Sequence, residues 1–217
     1  MPGVRPLSLV KVMANLRAFG SLAAFVYAAS ASATLLVALL WIGPSALVDR
    51  QRLVELAILR PTPLIVQDVL KFVLAVATAG MIAALFRRLQ GGAPLLMRAA
   101  VSLGLLSVLG LVLNAGLSLL ALWQATDPAA MSGEARRRLA AIVGMLGLGV
   151  IVLSGLWYVL VNWSALRQAR LRRGLCYLGL TIGVLSLIPV FGLLALAGSI
   201  VWSVGLGWEL LKDGEVG

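Results

Sequence analysis

The sequence predicts an all-α fold, a polytopic transmembrane helical bundle of six spans, and three observations predict it. Apolar residues make up 61% of the 217-residue chain, against about 45–50% in a soluble domain, and the mean hydropathy is +1.04. Charged residues are only 12% and fall almost entirely between the apolar runs. Those runs recur at about the 20 residues a helix needs to cross a bilayer. In lipid every backbone donor must be satisfied inside its own segment or in a closed barrel, so runs of this length read as helices.

Span one covers about residues 19–42 and is rich in small residues from Ala28 to Ala33; Gly43-Pro44 ends it. Arg5, Lys11 and Arg17 precede it, and Ala31-Ser32-Ala33 resembles a signal-peptide cleavage site. The apolar run continues to Trp41, so an uncleaved first span is the better reading. Span two covers about 64–86, after Pro61-Thr62-Pro63 and before Arg87-Arg88. Span three covers about 99–123, and span four about 139–163.

The last apolar stretch, Leu175 to Leu211, would reach about 55 Å as one helix, against a hydrocarbon core of about 30 Å. Pro189 and Gly192 interrupt it, one lacking a helix donor and the other tolerating turn geometry. A tight hairpin there gives a short span five, 175–188, and a full span six, 190–211. The alternative is five spans with a kinked or re-entrant last segment.

With six spans, Arg5, Lys11, Arg17, Arg87, Arg88, Arg98, Arg167, Arg170, Arg172, Arg173 and Lys212 share one side, and Arg50, Arg52, Arg60 and Arg136 to Arg138 the other. The positive-inside rule then puts both termini in the cytoplasm. Of the outer loops, one could hold a helix from a Ser45 cap to Leu59, with Leu47, Val54 and Ile58 on one face, lying in the headgroup layer. In the other, Asp127-Pro128 reads as a cap and first-turn proline ahead of span four.

The formal charge of +10 raises nucleic acid as a partner, but the basic residues sit between apolar runs, where anionic headgroups are the simpler partner. Histidine is absent, which removes imidazole ligation and His-based acid–base chemistry. Cys176 is the only cysteine, so no intrachain disulfide forms. Gly91-Gly92 follows no strand and supports no nucleotide site. No cofactor or metal is implied.

Four polar residues within the spans are the candidate site. Asp68 and Lys71, three apart, can pair on one helix face. A charge at a span centre costs about 2.5–3.5 kcal/mol, so such groups often mark function. Both also lie near the start of span two, where they could snorkel to the headgroups as a structural ion pair. Asn114 and Asn162 read as interhelical hydrogen-bonding groups, with a ligand cavity as the sharper alternative. Asn114 falls on a small or polar stripe with Ser107, Gly110 and Ser118.

Small residues mark helix-packing faces. Ala195, Ser199, Ser203 and Gly207 recur every four residues in span six, and Gly179 and Gly183 form a GxxxG in span five that the hairpin would bring against it. The partner of such faces is either internal or a second chain. Trp41, Trp123, Trp163 and Trp208 fall at span ends, where indoles anchor to interfaces. Trp157, Tyr158 and Trp202 lie deeper and read as core, with a lipid or pigment contact as the alternative. Arg167, Arg170, Arg172 and Arg173 could contact anionic lipid or serve as topology determinants, and Arg136 to Arg138 form a second basic run.

The layout resembles a family of uncharacterised six-span bacterial membrane proteins, a domain of unknown function. The resemblance rests on Phe86-Arg87-Arg88-Leu89, on Leu156-Trp157, on Arg172 through Leu180 opening span five, and on Val201-Trp202 through Gly205-Leu206-Gly207. It departs in the very short connection between spans five and six. It implies six helices in a bacterial inner membrane and carries over no activity. The expected function is therefore a non-catalytic accessory or scaffold subunit, with a small transporter or channel as the alternative class. An intramembrane enzyme has no nucleophile–base pair or ligand cluster to support it.

Overall fold

The computed structural model describes residues 7–45, 49–89, 91, 94–126 and 132–212. It holds seven α-helices and no strand among these residues: α1 (Leu7–Leu36), α2 (Arg50–Leu59), α3 (Thr62–Leu89), α4 (Pro94–Thr126), α5 (Gly133–Arg167), α6 (Arg173–Ser186) and α7 (Gly192–Lys212). A π-helical turn, Val37–Ile42, extends α1, and a 3-10 turn, Pro189–Phe191, joins α6 to α7.

Five of these helices are long and apolar enough to cross a membrane: α1 with its π-helical extension, α3, α4, α5 and α7. The remaining helix, α6, which corresponds to the expected short span five, has 14 residues, about 21 Å of helix at 1.5 Å per residue. Length and composition therefore give five candidate spans where the sequence predicts six.

Helix ends follow local chemistry. The Asp49 side chain accepts from the Gln51 N–H, capping α2. The cap is thus Asp49 and not Ser45, and Leu47 lies outside the described residues. Ser132 caps α5 by accepting from the Ala135 N–H at 3.3 Å; the expected Asp127-Pro128 cap lies outside the described residues. The α5–α6 connection turns through Ala169 at φ 50°. Arg88 holds it by donating to the Arg170 carbonyl, and Gln168 Nε2 holds it by donating to the Leu89 carbonyl at 3.0 Å.

Contacts run from α1 to α3, α4, α5, α6, α7 and back to α1. Successive pairs are antiparallel. Gly20 and Gly80 of α1 and α3 meet Ala84 and Ala23; Asn114 of α4 reaches Val143 of α5; Gly183 of α6 meets Gly155 and Val159 of α5. Within the hairpin, Gly198 meets Ile182 and Gly205 meets Leu175. The start of α6 and the end of α7 therefore lie together, and the backbone N–H of Arg172 donates to Glu209 at 2.9 Å there.

The core is concentrated at the end that holds Arg88 and Arg170. Met81, Leu85, Val161, Trp202 and Leu206 are inaccessible, and Trp157, Tyr158 and Trp202 stack edge to face at 4.8 to 6.0 Å. Large apolar side chains cover the outside, including Leu40, Val76, Leu95, Met145 and Val190. A soluble monomer rarely exposes an apolar patch above a few hundred Å². A lipid environment accounts for this surface, and the chain is a multi-pass membrane protein by its long apolar helices.

Candidate functional site

Two polar clusters lie between helices, and the sequence-predicted residues divide between them. Asp68, on the second turn of α3, is buried, its side chain only 3% exposed, so it does not snorkel. The Lys71 ammonium, 24% exposed, donates to Asp68 Oδ1 at 2.7 Å and to Asn114 Oδ1 of α4 at 3.0 Å. Asn114 Nδ2 then donates to the Val143 carbonyl of α5 at 2.7 Å. A chain of bonds thus links three helices: the two from the ammonium are charge-assisted and exceed a neutral bond in strength, and the one to Val143 is neutral. Asp68 Oδ2 is buried and has no hydrogen-bond partner among the described residues.

Two turns away along α4 and three along α5, the hydroxyls of Ser107 and Ser154 meet at 2.5 Å. Ser107 and Asn114 of the predicted stripe therefore both face α5. Beside them, on the side away from α3, lies an apolar groove of about 510 Å³ between α4 and α5, lined by Leu106, Leu109, Leu113, Ile142 and Met145 among others.

Asn162 belongs to the second cluster, apart from Asp68, Lys71 and Asn114. Its Nδ2 donates to the Tyr158 carbonyl at 2.8 Å, and its Oδ1 accepts from Trp202 Nε1 at 3.0 Å, tying α5 to α7. A Cβ at Gly179 would overlap the Asn162 amide, so only glycine lets α6 close over it. Gly183 likewise sits against Val159 and the Gly155 carbonyl. The GxxxG of α6 therefore packs on α5 and not, as its place in the hairpin suggests, on α7.

The four-residue repeat of α7 faces α1. Ser21 donates to the Gly207 carbonyl at 2.9 Å, and the Phe25 ring lies over Gly207. Tyr27 donates to Ser199 Oγ at 3.3 Å. Ala195, Ser199, Ser203 and Gly207 are all buried in the chain itself, so the partner of this face is internal.

The basic residues Arg167, Arg170, Arg172 and Arg173 are exposed at the Arg88 end. Arg167 lies over the Trp163 ring at 5.0 Å, and Arg172 pairs with Glu209 at 3.6 Å. Arg170 and Arg173 are exposed at the same end. Trp41, Trp123, Trp163 and Trp208 are exposed, while Trp157 and Trp202 are buried, as their places in the spans predict.

Sequence reasoning missed Glu209, Gln168 and the pairing of Trp202 with Asn162. Glu209 carried a signal, as the only acid in the last apolar stretch; the other two become meaningful only through contacts distant in the chain. No group of three or more potential metal ligands occurs among the described residues. No family model, curated protein or solved structure matches the chain.

Proposed function

We propose that this chain is a non-catalytic integral protein of a bacterial inner membrane, a bundle of six membrane-embedded helices acting as an accessory or scaffold subunit. One observation carries the reading. The buried amides and the charged pair of the spans bind helix to helix, and the space where helices converge is filled by Trp157, Trp202, Met81 and Leu85. Such an interior supports a rigid platform better than a path for solute. The apolar groove between α4 and α5 and the exposed face of α5 remain for lipid or a companion helix.

The six-helix count is supported by the antiparallel α6–α7 pair. A chain crossing five times would put the start of α6 and the end of α7 on opposite sides, whereas Arg172 and Glu209 are in contact. The cytoplasmic placement of both ends is supported by charge: Arg87, Arg88, Arg98, Arg167, Arg170, Arg172, Arg173 and Lys212 gather at one end, against Arg52, Arg60 and Arg136 to Arg138 at the other.

Mild extraction followed by native mass spectrometry tests the role. A stoichiometric companion protein is the expected result, and a bare monomer overturns it. A proton-coupled carrier is the second reading, favoured by the buried, unpartnered Asp68 Oδ2. In that case Asp68→Asn abolishes flux in proteoliposomes while the protein stays folded. Unchanged flux removes Asp68 from any coupling step.

A further inference from the structure

We propose that the α6–α7 hairpin enters the membrane from the Arg88 end and stops inside the hydrocarbon, its tip covered by lipid acyl chains. The inference rests on the membrane-embedded reading above and adds the depth of one element.

Register gives that depth. Gly155 of α5 faces Gly183, Ser186 and Leu187, the last turn of α6 and the residue after it. From Gly155, α5 runs on to Gly133, roughly 33 Å more helix at 1.5 Å per residue. Trp163 and Trp208, both exposed, mark the interface at the near end. Counting from them along α5 and α7, the tip lies about 18–24 Å deep, short of a hydrocarbon core of about 30 Å.

Composition agrees with that depth. No charged residue occurs between Arg173 and Glu209, and the tip reads Leu187-Ile188-Pro189-Val190-Phe191-Gly192-Leu193-Leu194. The connections at the opposite end carry Asp49, Arg52, Glu55 and Arg60 in one case and Glu134 with Arg136 to Arg138 in the other. A loop reaching headgroups and water has no reason to be so apolar. Val190 is 87% exposed and Leu194 60%, an arrangement that water would penalise at about 25 cal/mol per Å².

The backbone is suited to the same place. The N–H groups of Leu187, Ile188 and Phe191 donate to the carbonyls of Val184, Leu185 and Ile188 within the turn, and Pro189 has no N–H to satisfy. Irregular backbone is tolerated at membrane depth where its polar groups are so engaged. The hairpin leaves the start of α1 and the end of α7 on one side, whether or not its tip emerges.

Site-directed labelling decides it. Val190→Cys and, as a second variant in case that one misfolds, Leu194→Cys are made with Cys176→Ala and placed in phosphatidylethanolamine–phosphatidylglycerol vesicles. Arg52→Cys, on the polar face of α2, and Lys212→Cys report the two aqueous sides. With a membrane-impermeant maleimide in permeabilised vesicles, Val190→Cys should react at least about tenfold more slowly than either control, as expected of hydrocarbon depth. A spin label there should collide with oxygen and not with a water-soluble nickel chelate. Rapid labelling from the Arg52 side would make α6 a full span and overturn the proposal. Poor collision with both reagents would mean that protein covers the tip, and would overturn the lipid occupant. Neither result bears on whether a companion protein co-purifies.

Discussion

The two ends of this molecule are held together differently. At the Arg88 end, six helices meet around Trp157, Tyr158 and Trp202, and cohesion comes from shape: Gly179 and Gly183 admit α5, and Gly207 admits Phe25. Toward the other end α6 and α7 have stopped, and α3, α4 and α5 are tied by Asp68, Lys71 and Asn114. Where backbones approach closely, dispersion over many atoms suffices. Where fewer helices are present, a few strong bonds take over. At the Arg88 end the Asn162 amide adds a hydrogen bond to packing that is already dense, whereas at the other end the polar contacts supply cohesion that packing lacks.

The comparison can be broken first at its charged end. Lys71→Met leaves Asp68 buried and uncompensated, which should cost about 3–5 kcal/mol. The double variant Asp68→Leu/Lys71→Leu should recover most of that loss, because apolar replacements of a buried pair are often neutral. Thermal melting in detergent of the single and double variants measures the difference. Equal losses in both would mean that the pair carries no mutual dependence.

At the packed end, Gly179→Val forces a side chain into the Asn162 amide and should cost about 1–3 kcal/mol or more by overpacking. Asn162→Ala in the same chain should relieve part of it; strict additivity in melting would show that the two residues do not meet. A smaller effect separates hydrogen bonding from shape. Trp202→Phe keeps most of the aromatic volume and removes the bond to Asn162 Oδ1, so a loss of about 0.6–1.7 kcal/mol is expected. A loss as large as that of Gly179→Val would place the burden on the hydrogen bond.

Much of the fold was legible because hydropathy and punctuation are local. Gly43, the Pro61–Pro63 pair and the Pro189 turn all end or open helices as read, while Arg87-Arg88 falls within the last turn of α3, which runs on to Leu89. The Asp68–Lys71 pair was visible from its spacing of three. Its burial was not, because nothing within α3 reveals that Asn114, 43 positions along, draws Lys71 inward and away from the headgroups. The partner of Gly179 and Gly183 was hidden for a related reason. A GxxxG announces a close approach, but α5 and α7 both flank α6, and the choice is made by where Asn162 and Val159 project. The hairpin around Pro189 was legible too, and so was the shortness of the helix before it; α6 lies two residues earlier than its expected 175–188, because residues 187 and 188 belong to the turn.

The smallest effect sharpens the comparison from the lipid side. Gly144 lies on the exposed part of α5, and a Cβ there meets nothing. Gly144→Ala should therefore stabilise the isolated protein by about 0.5–1 kcal/mol, the ordinary helix-interior gain over glycine. The same methyl group would disturb a companion helix packed closely on that face. Melting of the purified chain and recovery of a companion in native mass spectrometry thus report on different things. Higher stability with an intact complex makes the Gly144 face lipid-exposed. Higher stability with a lost companion makes it the docking face. Lower stability of the isolated chain would contradict the open space around Gly144 and bring a neighbouring helix of the same chain against it.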